Sequence, residues 1–156
     1  MVRLADLQES DQDNMLKKIP LLPRFAEHHW VRGPKLAARR VAIVSTAGLH
    51  TRDDRPFGVG GMDYRVIPGS VKAGDLVMSH MSVNYDRSGF QEDWNVAFPL
   101  DRLRELARDK IIGAVAAFHY SFMGAVSPVT NYAAKAAALA QLLLDDKVDA
   151  VLLSPV

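Results

Sequence analysis

The chain has 156 residues, of which 49% are hydrophobic and 24% charged, and its formal net charge is +1. These values suit one soluble globular domain and give no case for nucleic acid or an anionic membrane surface as partner. The absence of cysteine excludes disulfides, thiolate-bound zinc, iron–sulfur clusters and a thiol nucleophile within these residues.

The first stretch, "MVRLADLQESDQDNM", carries acids early and has no apolar run, so it does not read as a signal peptide. The longest apolar stretch, Tyr132 to Leu144, is interrupted by Lys135 and Gln141 and is too short for a membrane span. The expected location is the cytoplasm. Residues 1–40 read as an N-terminal helix, near Leu4 to Lys18, followed by an extended arm. Pro20 and Pro23 stop the helix. His28 and His29 lie in the arm, where adjacent side chains point to opposite sides and do not make a metal pair.

Residues 41–156 read as an α/β domain. Val41 to Val44 is an unbroken apolar run, as a strand covered on both faces requires, and Ser45 to Gly48 is a small polar turn. "DYRVIPG" and "GDLVMSH" read as two short strands joined to the first by a loop, "RDDRPFGVGGMD". The "GVGG" in that loop neither follows a strand nor opens a helix, so it is turn chemistry and not a dinucleotide fingerprint. "MSVNYDRSGFQEDWN" has no clean period and reads as a loop. "PLDRLRELARDK" is a helix with Leu100, Leu103, Leu106 and Ala107 as its apolar stripe. "IIGAVAAFHYSF" is a fourth buried strand. "SPVTNYAAKAAALAQLLLDDK" is the longest helix, with Ser127 as cap, Pro128 at its first position and one face made of Tyr132, Ala136, Leu139, Ala140 and Leu143. Propensity and close packing account for its alanines. "VDAVLLSPV" is a fifth buried strand. Helices alternating with buried strands argue for an α/β fold: an open, largely parallel sheet with flanking helices in Rossmann-like layers, incomplete at its C-terminal side.

Several strands run straight into polar residues. The first leads to Ser45, Thr46 and His50, the third to Ser79 and His80, the fourth to His119, Tyr120 and Ser121, and the fifth to Ser154. If these strands are parallel, all four groups emerge at one edge of the sheet, where ligands of open α/β sheets bind. The histidines lack the spacing of a metal site. Ser45 with a histidine and Asp53, Asp54 or Asp86 would make a triad, but "VSTAG" is not a nucleophile elbow. Asp86 and Arg87 in "NYDRSG" have the charges to bind a carboxylate or zwitterion. Two function classes fit these residues taken alone: a non-catalytic small-molecule-binding or oligomerisation module, and a histidine-based metal-dependent hydrolase or lyase.

Four segments in order, "RRVAIVSTAGLHTRDDRPFGVGGMDYRVIPG", "VMSHMSVNYDRSGFQEDWNVAFPLDRLRELARDK", "IGAVAAFHYSFMGA" and "VDAVLLSPV", resemble the selenoprotein B family of glycine, sarcosine, betaine and D-proline reductases. The resemblance covers roughly residues 38–156. In that family a motif like "LLSPV" is followed at once by selenocysteine, or by cysteine in some relatives. The resemblance therefore implies a redox nucleophile just after Val156, with none inside the chain, so that these residues alone are inactive in the redox step. It also implies reductive C–N cleavage of a small amine or amino-acid substrate, with a pyruvoyl group on a partner subunit as a possible helper. Within the pocket so implied, His80 and His119 are the candidates for proton transfer, and Ser45, Thr46, His50, Asp86, Arg87, Asn95 and Ser121 the candidates for holding substrate. A sheet left uncovered at its C-terminal side further implies a homo-oligomer.

Overall fold

The computed structural model describes residues 3–24, 31–82, 85–124 and 129–156. His28, His29 and Trp30, and the helix cap expected at Ser127 and Pro128, lie outside the described residues.

The apolar run after Arg39 forms β1 (Arg40–Ser45), the centre of the main sheet. On one edge β1 pairs in parallel with β7 (Ala150–Ser154) over five residues, from Val41↔Ala150 to Ser45↔Ser154. On the other edge it pairs, also in parallel, with β5 (Ala114–Val115) and then β6 (Phe118–Ser121). β3 (Arg65–Pro68) closes the far side antiparallel to β6. The fold is thus α/β with an open, mostly parallel sheet. β2 (Leu49–Thr51) and β4 (Leu76–Met78) stand apart as an antiparallel pair. β2 is the strand that sequence reading missed, and β4 is therefore not a parallel member of the main sheet.

The two faces of β1 are covered by different helices. Val41 and Ile43 face Ile67, Trp94, Phe98, and Leu100 and Leu103 of α3 (Leu100–Arg108). Ala42 and Val44 face the opposite layer, where Leu139 and Leu143 of α4 (Ala133–Asp145) pack with Tyr120 and Phe122. Burying a side chain as large as Phe98 or Ile43 stabilises by roughly 1.5–3 kcal/mol each, so this two-faced layer holds much of the core. The N-terminal helix is shorter than expected. A 3₁₀ turn at Leu4–Asp6 precedes α1 (Glu9–Lys18), and neither buries a residue. The "MSVNYDRSGFQEDWN" segment is not wholly loop, because α2 (Ser88–Glu92) and a 3₁₀ turn at Trp94–Val96 form within it.

The expected fourth strand is broken. Between β5 and β6 the register against β1 slips by two residues, from Arg40↔Ala114 to Val44↔Tyr120. Backbone groups released by such a bulge need new partners, and each finds one. Ala117 and Phe118 N–H both donate to one carboxylate oxygen of Asp146, at 2.7 and 3.2 Å. Gly69 N–H donates to Ala117 O at 2.7 Å. Ile43 N–H on β1 donates to Nδ1 of His119 at 2.9 Å. The slip also explains why His119, expected at a strand end, sits inside β6 with no exposed surface.

Two further expectations are corrected. Ala136 and Ala140 of α4 are exposed, so close packing does not explain the alanines, and helix propensity remains. β7 is not a buried strand: Val151, Leu152 and Leu153 are exposed at 40, 39 and 70%. No described strand pairs with its outer edge.

Burial works to raise the pKa of Asp146, but the Arg40 guanidinium and the Phe118 and Ala117 N–H groups outweigh it and hold the carboxyl below the usual range. A depressed carboxylate stabilises the fold above its unfolded pKa, near 4, and loses that contribution as pH falls through its folded value. Asp146→Ala should therefore cost about 1–2 kcal/mol at pH 7 by leaving the part-buried Arg40 guanidinium and the Ala117 and Phe118 N–H groups without their acceptor. Urea denaturation should show the difference from wild type shrinking below pH 4.

Candidate functional site

The C-terminal end of β1 is where the chain segments collect. Thr46, the first residue past the strand, uses every polar group it has. Its N–H donates to Ser154 O at 3.1 Å, and its carbonyl accepts from Gly124 N–H at 2.8 Å. Its hydroxyl accepts from Val156 N–H at 2.8 Å and lies 3.3 Å from Val156 O, to which it donates. Residues 122–124 fold back antiparallel along 46–48, through Gly48 N–H to Phe122 O and an Ala47↔Met123 bridge. Tyr132 OH at the start of α4 donates to Met123 O at 2.5 Å and holds this return from below.

Ser45 and Ser121 end β1 and β6 side by side, both without exposed surface. Ser45 Oγ donates to Ala97 O at 3.1 Å and accepts from Ala47 N–H at 3.2 Å. Ser154, its neighbour on β7, donates to the same Ala97 carbonyl at 3.0 Å. Ser121 Oγ accepts from Leu49 N–H at 2.8 Å. These hydroxyls thus satisfy the backbone where three strands stop. No histidine bonds Ser45, so no triad forms there among the described residues.

His80 reaches this edge by an unexpected route. β4 runs antiparallel to β2, which brings the chain after Met78 back alongside Gly48. Ser79 N–H donates to Gly48 O at 2.9 Å. Gly48 has φ +65°, and a Cβ there would sit 3.0 Å from His80 N, which accounts for glycine at this position. The His80 ring is buried at 5% exposure and meets the Tyr85 ring edge-on, with centroids 4.9 Å apart. Nδ1 of His80 accepts from Ser82 N–H at 3.3 Å, so the ring proton belongs on Nε2. That Nε2 is buried and, like Nε2 of His119, has no hydrogen-bond partner among the described residues. Burial, and then the nearby Arg87 guanidinium, push the His80 pKa below the usual imidazole range. His80 is therefore neutral at pH 7, with its Nε2–H unpaired among the described residues.

The remaining candidates are spent on the scaffold. His50 donates from Nδ1 to Thr51 O at 2.7 Å and accepts Ser79 OH at Nε2 at 2.8 Å, tying β2 to the His80 segment. Arg87 donates to the carbonyls of His80 and Ser82, so its fork closes its own loop. Asp86 is exposed and accepts from Ser88 N–H and OH, which lower its pKa. Asn95 bonds Asp93 and both the carboxylate and the N–H of Asp101, fixing the entry to α3. His119 lies fully inside the core and packs edge-on against Phe98, and its pKa is lowered to about 4 by burial, with the Arg104 charge next.

Gly124 and the Tyr132 hydroxyl belong to this edge and were not among the expected site residues, while Val156 was expected there only as the residue before a redox nucleophile. Glycine after an aromatic strand end was the one signal available for the first. An open cavity lined by Arg40, Asp145, Asp146 and Lys147 lies at the opposite edge of the sheet, away from these groups. Among the described residues, no three of His, Cys, Asp and Glu come together to hold a metal. No described helix is long and apolar enough to cross a membrane.

An open, mostly parallel sheet whose central strand ends in a hydroxyl-lined junction, with one neutral buried imidazole beside it, is the layout of an α/β protein with its site at the strand ends. The family model for glycine/sarcosine/betaine reductase selenoprotein B matches residues 70–156. The chain is 35% identical over 116 residues to D-proline reductase subunit gamma of Acetoanaerobium sticklandii, which covers 73% of this chain and 47% of that protein. It is 32% identical over 127 residues to the sarcosine reductase complex component B subunit beta of Peptoclostridium acidaminophilum, covering 74% of this chain and 27% of that protein. No solved structure matches. The chain belongs to the selenoprotein B family of glycine/sarcosine/betaine reductases. It spans less than half the length of these curated relatives.

On unfolding, His119 regains an ordinary pKa near 6.5, so the unfolded state binds more protons between pH 6.5 and 4. The stability that neutral His119 contributes is complete above pH 6.5 and declines as pH falls toward 4. Wild type should lose on the order of 3 kcal/mol across this window relative to His119→Leu. Paired urea titrations at pH 7 and pH 4.5 measure the difference. Equal slopes would mean that His119 is not held neutral.

Proposed function

We propose that this chain is the substrate-pocket portion of a selenocysteine- or cysteine-dependent reductase that cleaves a C–N bond of a small amino acid or betaine-like substrate. The observation that carries the reading is the family match, which covers residues 70–156. The nucleophile of this reading is the residue that follows Val156. Two features of the edge fit such a group. Val156 is tied by both backbone atoms to the end of β1, and the His80 backbone lies against Gly48, two residues beyond Thr46.

A selenolate or thiolate there supplies an ionised, strongly nucleophilic atom at neutral pH. A pyruvoyl group on a partner subunit would supply the carbonyl that engages the substrate amine. Overall, the C–N bond breaks, carbon gains a hydrogen, nitrogen stays as an amine, and two thiols of a dithiol reductant become a disulfide. The chain's own part is to bind and orient. In this role His80 donates from Nε2 to a substrate carboxylate, and its neutrality keeps it a donor without adding charge. Ser45, Ser121 and Asn95 hold the strand ends and α3 in place for it.

The curated relatives are subunits of reductase complexes, and a partner surface is part of the proposal. The outer side of α4 and the edge of β7 together expose Leu142, Leu144, Val151, Leu152 and Leu153. Apolar area of this kind favours association, with a second copy or a partner subunit.

The codon after Val156 tests the reading first. A TGA or cysteine codon followed by a proline codon supports it, and any other codon removes it. The full-length subunit, isolated with its partners, should then consume dithiothreitol on addition of D-proline, sarcosine, glycine or betaine. His80→Phe should slow that turnover by 10-fold or more. Light scattering of the same preparation should show an assembly, and a clean monomer would contradict the partner surface.

A further inference from the structure

The sequence suggested Thr46 as a substrate ligand, but its hydroxyl has another occupation. One side-chain oxygen takes both backbone polar atoms of Val156, while the Thr46 backbone holds Ser154 on one side and Gly124 on the other. Opposite Thr46, Gly124 leaves room for the same residue. A Cβ on Gly124 would lie 2.7 Å from Val156 O, 2.8 Å from Thr46 O and 3.0 Å from Thr46 Cβ. These first two contacts are with backbone oxygens, so relief requires the chain itself to move. Residues 154–156 thus leave β7, cross the end of β1 and meet the end of the β6 segment, gripped from two sides.

We propose that Thr46 and Gly124 form a collar that fixes the peptide of Val156 and so sets the direction in which the next residue leaves the sheet. The collar rests on the reading that the redox nucleophile follows Val156. Thr46 and Gly124 are then positioning residues, because they act through the Val156 peptide and touch neither substrate nor nucleophile. The physical basis is geometric. A nucleophile must approach within a near-attack distance on the right line, and a misplacement of about 1 Å can cost on the order of 100-fold in rate. Two hydrogen bonds and one excluded methyl are enough to define a peptide's position and tilt. Rigidity behind the collar comes from the Ala47↔Met123 bridge and from Tyr132 OH on Met123 O. Substrate binding belongs to other groups, so the collar should affect the chemical step and leave affinity alone.

The test uses the full-length subunit in its native complex, with D-proline, sarcosine, glycine and betaine each assayed under dithiothreitol. Mass spectrometry after iodoacetamide locates the alkylated residue. Thr46→Val removes both bonds at nearly constant shape, Thr46→Ser keeps the hydroxyl, and Gly124→Ala adds the excluded methyl. Thr46→Val and Gly124→Ala should lower kcat 10- to 100-fold with KM within about twofold, whereas Thr46→Ser should stay within about threefold of wild type. Rates are taken per folded protein, with thermal midpoints measured alongside. Should Thr46→Val fail to fold, the Gly124→Ala and Thr46→Ser pair decides. If wild type turns over a probe and both disruptive variants match its kcat, the collar is wrong and the functional reading stands. If wild type turns over no probe and carries no alkylatable residue after Val156, the functional reading falls and the collar with it.

Discussion

The arrangement depends on β1 being hydrogen-bonded along both of its edges. β7 occupies one edge for five residues, and β5 with β6 occupies the other. A strand paired on both sides and packed on both faces has one freedom left, which is how its end is finished. Here the finish is done by side-chain hydroxyls. Ser45, Thr46, Ser121 and Ser154 accept or donate where the ladder stops, and the segments around residues 80, 124 and 156 are drawn to the same place. Buried backbone groups at a strand end must find partners, and this requirement is what concentrates polar chemistry there.

The break in the neighbouring strand has the same logic and a different outcome. Where the register slips at Ala116–Ala117, two charged or polar side chains stand in for missing backbone. Asp146 receives two N–H groups, and His119 receives one. A histidine used in this way has to be neutral, and burial makes it so. His80 is also buried and neutral, its Nδ1 accepts Ser82 N–H, and its Nε2, like that of His119, has no hydrogen-bond partner among the described residues. The two histidines are bonded alike and differ in place: His119 closes a gap inside the sheet, and the His80 segment lies against Gly48 beyond the end of β1.

Much of the layered fold was legible in the sequence. Val41–Val44, the Leu100–Leu103 stripe and the Ala-rich helix each carry a period that local physics reads directly. The strand-end chemistry of β1 and β6 followed from apolar runs that stop at serine. What stayed hidden was set by distant pairing. β2 is three residues long, and only its antiparallel partner β4 makes it a strand. The slip between β5 and β6 is invisible in "IIGAVAAFHYSF", because nothing in that run marks where its pairing with β1 shifts. The bond of the Thr46 hydroxyl to Val156 was hidden because that partner is 110 residues away. The exposure of β7 was likewise hidden, because an apolar strand reads as covered whether or not anything covers it.

The central claim is that the end of β1 grips the chain at Val156. Amide hydrogen exchange measures this at one atom. The Val156 N–H, bonded to Thr46 Oγ1, should exchange at least tenfold more slowly than an unstructured amide, and Thr46→Val should abolish that protection. Exchange of the Val156 amide at the unstructured rate in the wild-type protein would contradict the account.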